Sequence, residues 1–123
     1  MSTAPMIAIV DDDKGARDAL GMLMRSLGHN ASAFGSAEEF LKSEKLNDTL
    51  CLITDLHMPG LSGLDLQNRL IADAHRIPII FITGDPTDST RACAMKAGAV
   101  GFLSKPFKND HLLACLETAL KAA

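Results

Sequence analysis

The sequence predicts an α/β protein, a (βα)5 chain folded as a doubly wound, five-stranded parallel sheet. Two observations carry this. Short apolar runs recur along the chain without polar alternation, as expected of strands covered on both faces. Between them lie segments with apolar residues at helical spacing, and the two patterns alternate from end to end. With 123 residues, 47% of them hydrophobic, the chain is expected to form one domain over 1–123, its strands joined by right-handed crossovers.

Met6–Val10 (MIAIV) opens the pattern, a wholly apolar run that stops at Asp11. Ala16, Leu20, Leu23, Met24 and Leu27 follow on one helical face, and Gly28 suits the C-terminal cap. Asn30–Phe34 is a weaker strand. Ser36-Ala-Glu-Glu39 has the form of a capping box for a second helix with Ala37, Phe40 and Leu41 on one face. Leu50–Thr54 is the third strand, ending at Asp55, and Pro59-Gly60 forces a turn. Ser62 with Asp65 caps a third helix reaching Ala74. Ile77–Ile82 is the fourth strand, and Thr83-Gly84-Asp85-Pro86 follows it. A helix from Asp88 ends at Gly98. Val100–Leu103 is the fifth strand, broken by Ser104-Lys105-Pro106, and the last helix carries Leu112, Leu113, Leu116 and Leu120.

Composition removes several function classes. Lys and Arg number 12 against 15 Asp and Glu, a formal charge of −3. No basic cluster suits phosphate neutralisation, so direct nucleic-acid binding is not expected. The longest apolar runs are too short to span a bilayer, and Met1-Ser-Thr-Ala-Pro5 carries neither basic nor long apolar signal character. A soluble, cytoplasmic chain without membrane partners is expected. Cys51, Cys93 and Cys115 are odd in number and widely spaced, which suits small core residues and neither disulfides nor zinc. His29, His75 and His111 lack ligand spacing and read as surface residues. No GxxxxGK[ST] or GxGxxG follows a strand.

The chemistry collects at strand ends. Asp11 and Asp12, Asp55, Thr83 and Lys105 stand just past the first, third, fourth and fifth strands. In a parallel sheet these positions share the carboxyl edge, where open α/β folds bind ligands. Carboxylates held close repel one another, and a hard divalent cation such as Mg²⁺ removes that cost. Lys105 can pair with a carboxylate and with phosphoryl oxygens, and Thr83 can donate one hydrogen bond to such an oxygen. An aspartate can attack phosphorus, and phosphoryl transfer depends mainly on positioning and charge neutralisation. Asp55, alone at its strand end, is favoured as acceptor, while the Asp11-Asp12 pair suits the metal.

Five segments extend the pattern: Ile9-Val-Asp-Asp-Asp13, Thr54-Asp-Leu-His-Met-Pro-Gly60 with Ser62-Gly63, Ile82-Thr-Gly84, Lys96-Ala-Gly-Ala99 and Lys105-Pro-Phe107. In these the sequence resembles a response-regulator receiver domain of two-component signalling, over essentially its whole length. Thr83-Gly84 and Gly98-Ala-Val-Gly-Phe-Leu-Ser-Lys-Pro-Phe107 are most similar to FixJ-type transcriptional regulators. The resemblance implies a flavodoxin-like strand order of 2-1-3-4-5. It makes Asp55 the phosphoacceptor and Asp12 the direct Mg²⁺ ligand. Asp11 reaches the metal through water, and the His57 backbone carbonyl is a further ligand, with Mn²⁺ as a substitute ion. Lys105 contacts the phosphoryl group, the Lys105–Pro106 bond is cis, and Thr83 with Phe102 forms the switch.

Implied partners are a sensor histidine kinase and a downstream effector domain or protein. The effector meets the face of the fourth helix, fifth strand and fifth helix, with phosphorylation-dependent dimerisation as a further option. The chain modifies only itself, so it is not expected to be an enzyme in the turnover sense. It carries no effector of its own, and either stands alone or is the N-terminal piece of a longer regulator with a helix-turn-helix DNA-binding domain.

Some positions read two ways. Phe102 lacks the hydroxyl of the family's common tyrosine and serves equally as core residue or switch. His57 reads as a flanking surface residue, Asp85 as the cap of the next helix, and Asp13 as a solvated first-turn acid favoured by the helix dipole. Lys14 and Arg17 read as charges on an exposed helix face. Two other functions compete: a degenerate, phosphorylation-independent binding module, and a small aspartate-nucleophile phosphohydrolase. The second usually carries an Asp two residues after its nucleophile, where this chain has His57.

Overall fold

Continuous apolar strands need cover on both faces, and the architecture supplies it. The computed structural model describes residues 5–122. In chain order its elements are β1 (Met6–Val10), α1 (Lys14–Ser26), β2 (Ala31–Phe34), α2 (Ala37–Leu41), β3 (Thr49–Asp55), α3 (Gly63–Ala72), β4 (Ile79–Thr83), α4 (Asp88–Lys96), β5 (Gly101–Ser104) and α5 (Asn109–Ala122). A short 3-10 turn at Leu46–Asp48 leads into β3. The strands form one parallel sheet in the order β2-β1-β3-β4-β5. Residues 1–4 and 123 of the expected 1–123 domain lie outside the described residues. No helix among the described residues is long and apolar enough to cross a membrane.

Alternation along each strand divides the core into two. Ile7, Ile9, Cys51, Ile53, Ile80 and Ile82 point to one face and pack against Leu20 and Met24 of α1 and Leu112, Leu116 and Ala119 of α5. Met6, Ala8, Val10, Leu52, Ile79 and Phe81 point to the other, against Phe40 of α2, Leu66 and Leu70 of α3 and Ala94 of α4. Phe40 and Phe81 are wholly buried, so truncating either to Ala would cost about 3–5 kcal/mol.

Not every helix end follows the sequence signals. Ser62 and Asp65 form a reciprocal capping box on α3. Ser36 accepts the Glu39 amide, yet the Glu39 carboxylate reaches back to the Gly35 amide at 3.1 Å rather than to Ser36. Asp85 does not cap α4, because Thr87 does so in a capping box with Thr90. The Asp85 amide is taken instead by the Thr83 hydroxyl. Asp13 is not a first-turn acid of α1 but its N-cap, standing before the helix and accepting the Gly15 amide at 3.0 Å.

Four strand starts differ from the apolar runs, β3 beginning at Thr49, one residue before Leu50. Pro78 has no N–H to donate, so β4 begins at Ile79 and not Ile77, although the Pro78 carbonyl still accepts the Leu52 amide. β5 begins at Gly101, with the Val100 amide already bonded to Ile79. β2 begins at Ala31, after Asn30. At the far end of α3 the helix stops at Ala72, and Ala74 takes a left-handed φ of 62°. The Ala74 amide bonds to Ile71 and the His75 amide to Leu70, a Schellman closure. Gly28 after α1 and Gly98 after α4 close the same way, at φ 88° and 105°.

Candidate functional site

Parallel pairing brings the ends of four strands to one edge. Val10 pairs with Thr54, Asp55 with Ile82 and Thr83 with Ser104. Asp11, just past β1, therefore stands beside Asp55; Asp55 and Thr83 are the last residues of β3 and β4 rather than the first beyond them, and Lys105 follows β5. The Lys105 amide donates to the Thr83 carbonyl at 2.8 Å, and the Lys105–Pro106 peptide bond is cis.

Asp11, Asp12 and Asp55 each offer a carboxylate oxygen, and these atoms lie within 4.8 Å of one another. Asp11 is 2% exposed, whereas Asp12 faces solvent. Asp11 Oδ1 accepts the Asp13 amide at 2.9 Å, and its Oδ2 faces Lys105 Nζ at 3.3 Å. Asp55 Oδ1 accepts the His57 amide at 3.3 Å, and its Oδ2 faces the same ammonium at 3.2 Å. Burial pushes the Asp11 carboxyl above its ordinary value, and Asp55 adds to the rise, against the lowering effects of the Asp13 amide and Lys105. Desolvation works to lower the Lys105 ammonium, but the attraction of Asp11 and Asp55 outweighs it and the net shift is upward.

Three carboxylates against one ammonium leave a formal −2 in this hollow. A divalent cation cancels it. The donors are all hard oxygens, partly open to solvent, which fits Mg²⁺ with several retained waters.

Thr83 is fully buried, and its hydroxyl accepts the Asp85 amide at 3.1 Å. That leaves its own proton free to be donated. Phe102 is 6% exposed and turned inward, its ring 6.3 Å from that of Phe81 and capped by the Arg91 guanidinium at 5.9 Å. By register, Phe81 and Thr83 of β4 share a sheet face with Phe102 and Ser104 of β5. His57 is exposed, its Nε2 lying 3.4 Å from the Asp85 carbonyl across the mouth of the hollow.

Two further residues support the main chain of the acidic strand ends. A Cβ on Gly63 would fall onto the main-chain oxygen of Asp55, so glycine lets α3 start against the end of β3. The Gly63 amide bonds to the Leu56 carbonyl at 2.8 Å. Arg17 is not an exposed-face charge: it is half-buried, and its Nη1 donates to the Asp11 carbonyl at 3.2 Å. The Ser-Gly pair at 62–63 hinted at the first, but nothing in sequence spacing pointed to the second. A groove of about 540 Å³, lined by Leu70, Ile71, His75 and Pro78 among others, opens away from the carboxylates and gathers no comparable set of acids.

A family model described as Response regulator receiver domain matches residues 7–117. Nodulation protein W of Bradyrhizobium diazoefficiens is 48% identical over 112 residues, covering 91% of this chain and 49% of that protein. Response regulator protein TodT of Pseudomonas putida is 43% identical over 120 residues, covering 98% of this chain and 53% of the other. The crystal structure of FixJ-N matches with a TM-score of 0.86 at 34% identity, covering 100% of this chain and 98% of that one. The chain spans about half the length of the curated relatives it matches.

Proposed function

The chain belongs to the response regulator receiver domain family, and from that premise we propose that Asp55 accepts a phosphoryl group from a phosphohistidine of a sensor histidine kinase. The observation that carries this is the Lys105 ammonium held between Asp11 and Asp55, beside three clustered carboxylates. Asp12 and Asp55 would hold Mg²⁺, or Mn²⁺ in its place, with the His57 carbonyl as a further ligand and Asp11 acting through water. The bound ion would neutralise negative charge on the incoming phosphoryl oxygens and on the acceptor carboxylate.

A carboxylate oxygen of Asp55 forms the new O–P bond as the N–P bond of the phosphohistidine breaks. The electron pair returns to the imidazole nitrogen, which takes up a proton from solvent. Lys105 then turns from pairing two carboxylates to pairing Asp11 and a phosphoryl oxygen. Later attack by water on phosphorus breaks the O–P bond, restores the Asp55 carboxylate and releases inorganic phosphate with a proton.

Thr83 carries the signal outward. Its unused proton is donated to a phosphoryl oxygen, and the inward movement of its side chain opens space on the sheet face it shares with Phe102. The ring leaves Phe81, and the α4-β5-α5 surface repacks to meet an effector domain or protein. A ligand can shift such a two-state element only through unequal contacts, which the phosphoryl–Thr83 bond provides. The downstream output is transcriptional, and the modified surface is also where two copies would dimerise.

Mass spectrometry after exposure to Mg²⁺ and acetyl phosphate tests the assignment. One added phosphoryl group is expected in the parent and none in Asp55→Asn. A gain that persists in Asp55→Asn would move the acceptor elsewhere.

A further inference from the structure

We infer that Arg17 is a positioning residue for magnesium binding, acting by fixing the peptide plane between Asp11 and Asp12. The inference rests on the metal-assisted reading of the carboxylate cluster and deepens it.

The Asp11–Asp12 peptide carries the geometry of the acidic pair. Its planarity means that holding the Asp11 carbonyl oxygen also sets the direction of the Asp12 N–Cα bond, and so where the Asp12 carboxylate points. The Asp11 residue is gripped at every other polar atom. Its amide donates to the Phe34 carbonyl at 3.1 Å, Oδ1 takes the Asp13 amide at 2.9 Å, and Oδ2 faces Lys105 at 3.3 Å. The carbonyl oxygen is held by Arg17 Nη1 at 3.2 Å. Asp12 is exposed, so its aim depends on the backbone it hangs from.

Arg17 is itself well placed for the task. It sits in the opening turns of α1, its amide bonded to the Asp13 carbonyl at 3.0 Å, and its side chain is half-buried. The guanidinium packs beside Gly35, its Cζ 3.8 Å from where a Cβ on that residue would stand, an ordinary van der Waals contact. Its bond to the carbonyl is charge-assisted, stronger than a neutral one.

Two physical accounts of Arg17 predict opposite signs. A cation acting only through its field repels Mg²⁺, so its removal would tighten binding. A tether that aims Asp12 favours binding, so its removal would weaken it. Arg17→Met keeps the apolar stem and removes the donor, while Arg17→Lys keeps a charged donor on a slightly shorter stem. The chain has no Trp or Tyr to report binding, so Mg²⁺ is titrated calorimetrically, with the metal-free thermal midpoint recorded alongside. Arg17→Met is expected to weaken Mg²⁺ five- to tenfold while its metal-free midpoint stays close to the parent's. Arg17→Lys should remain within about threefold of the parent. Parental or tighter Mg²⁺ affinity in Arg17→Met would overturn the role of Arg17 alone. Failure of the parent itself to bind Mg²⁺ would overturn the cluster reading and this inference with it.

Discussion

Lys105 Nζ stands 3.2 Å from Asp55 Oδ2, closing a contact between residues 50 positions apart in the chain. The same ammonium reaches Asp11 at 3.3 Å, so one cation offsets part of the repulsion among the acids without entering the metal's donor set. Lys105→Ala should therefore leave Mg²⁺ affinity unchanged or tighter, since a competing cation is gone. Labelling by acetyl phosphate should slow by ~100-fold, the scale of losing one preorganised charge-stabilising group. Calorimetric titration and a labelling time course separate the two effects, and lost metal affinity would show that Lys105 has another role.

The acids carry the opposite cost. Asp11 is buried and its carboxyl is raised above the ordinary value, first by burial and then by the Asp55 charge. A carboxyl raised in the fold binds its proton more tightly than in the unfolded chain. Its contribution to stability is fully present below the ordinary value of 3.8 and is lost as pH rises through the folded value. In metal-free protein at neutral pH, Asp11→Asn should raise the thermal midpoint by a few degrees. The same variant should lose much of the stabilisation that Mg²⁺ gives the parent, about 2.7 kcal/mol at a hundredfold excess over Kd. Thermal melts with EDTA and with Mg²⁺ check both, and a lower midpoint in EDTA would contradict the repulsion argument.

The legibility of this fold followed from physics local to the chain. β1 was readable to the residue because Met6–Val10 is bounded by Pro5 and Asp11, which do not prolong an apolar run. Strand ends carrying Asp55, Thr83 and Lys105 were readable because parallel pairing turns sequence position into edge position. The start of β4 was obscured because Ile77 is apolar and half-buried yet precedes a proline. The cap of α4 is ambiguous in sequence, since both Asp85 and Thr87 are capping types and only tertiary structure commits the Asp85 amide to Thr83. Arg17 was unreadable because its partner is a carbonyl oxygen, which no residue type announces.

Ala74 holds a left-handed φ of 62° where Gly28 and Gly98 fill the equivalent places after α1 and α4. A side chain there costs about 1 kcal/mol, which glycine relieves at some cost in unfolded-state entropy. Ala74→Gly is expected to stabilise the domain by about 0.5 kcal/mol, raising the midpoint by about 2–4 °C. Ala74 is exposed, so no core packing is lost. A fall in midpoint would mean that chain entropy outweighs the strain.

The three thiols are sorted by burial. Only Cys51 is the core residue expected of all three, wholly inside the sheet core; Cys115 is half-buried and Cys93 is exposed. Burial pushes the Cys51 thiol up from 9.0 to about 12, with Cys115 adding to the rise. Because the thiolate is the reactive form, Cys93 should react first with Ellman's reagent, Cys115 more slowly, and Cys51 only at the rate of global unfolding. The linkage runs the same way. With the folded value above the unfolded one, the Cys51 contribution is fully present below pH 9.0 and is lost as pH rises towards about 12, at about 1.4 kcal/mol per pH unit for one proton. Cys51→Ala should flatten the alkaline side of the stability profile relative to the parent. An unchanged alkaline slope, or a third thiol labelled faster than the chain unfolds, would show that Cys51 is more open than its place between β1 and β4 implies.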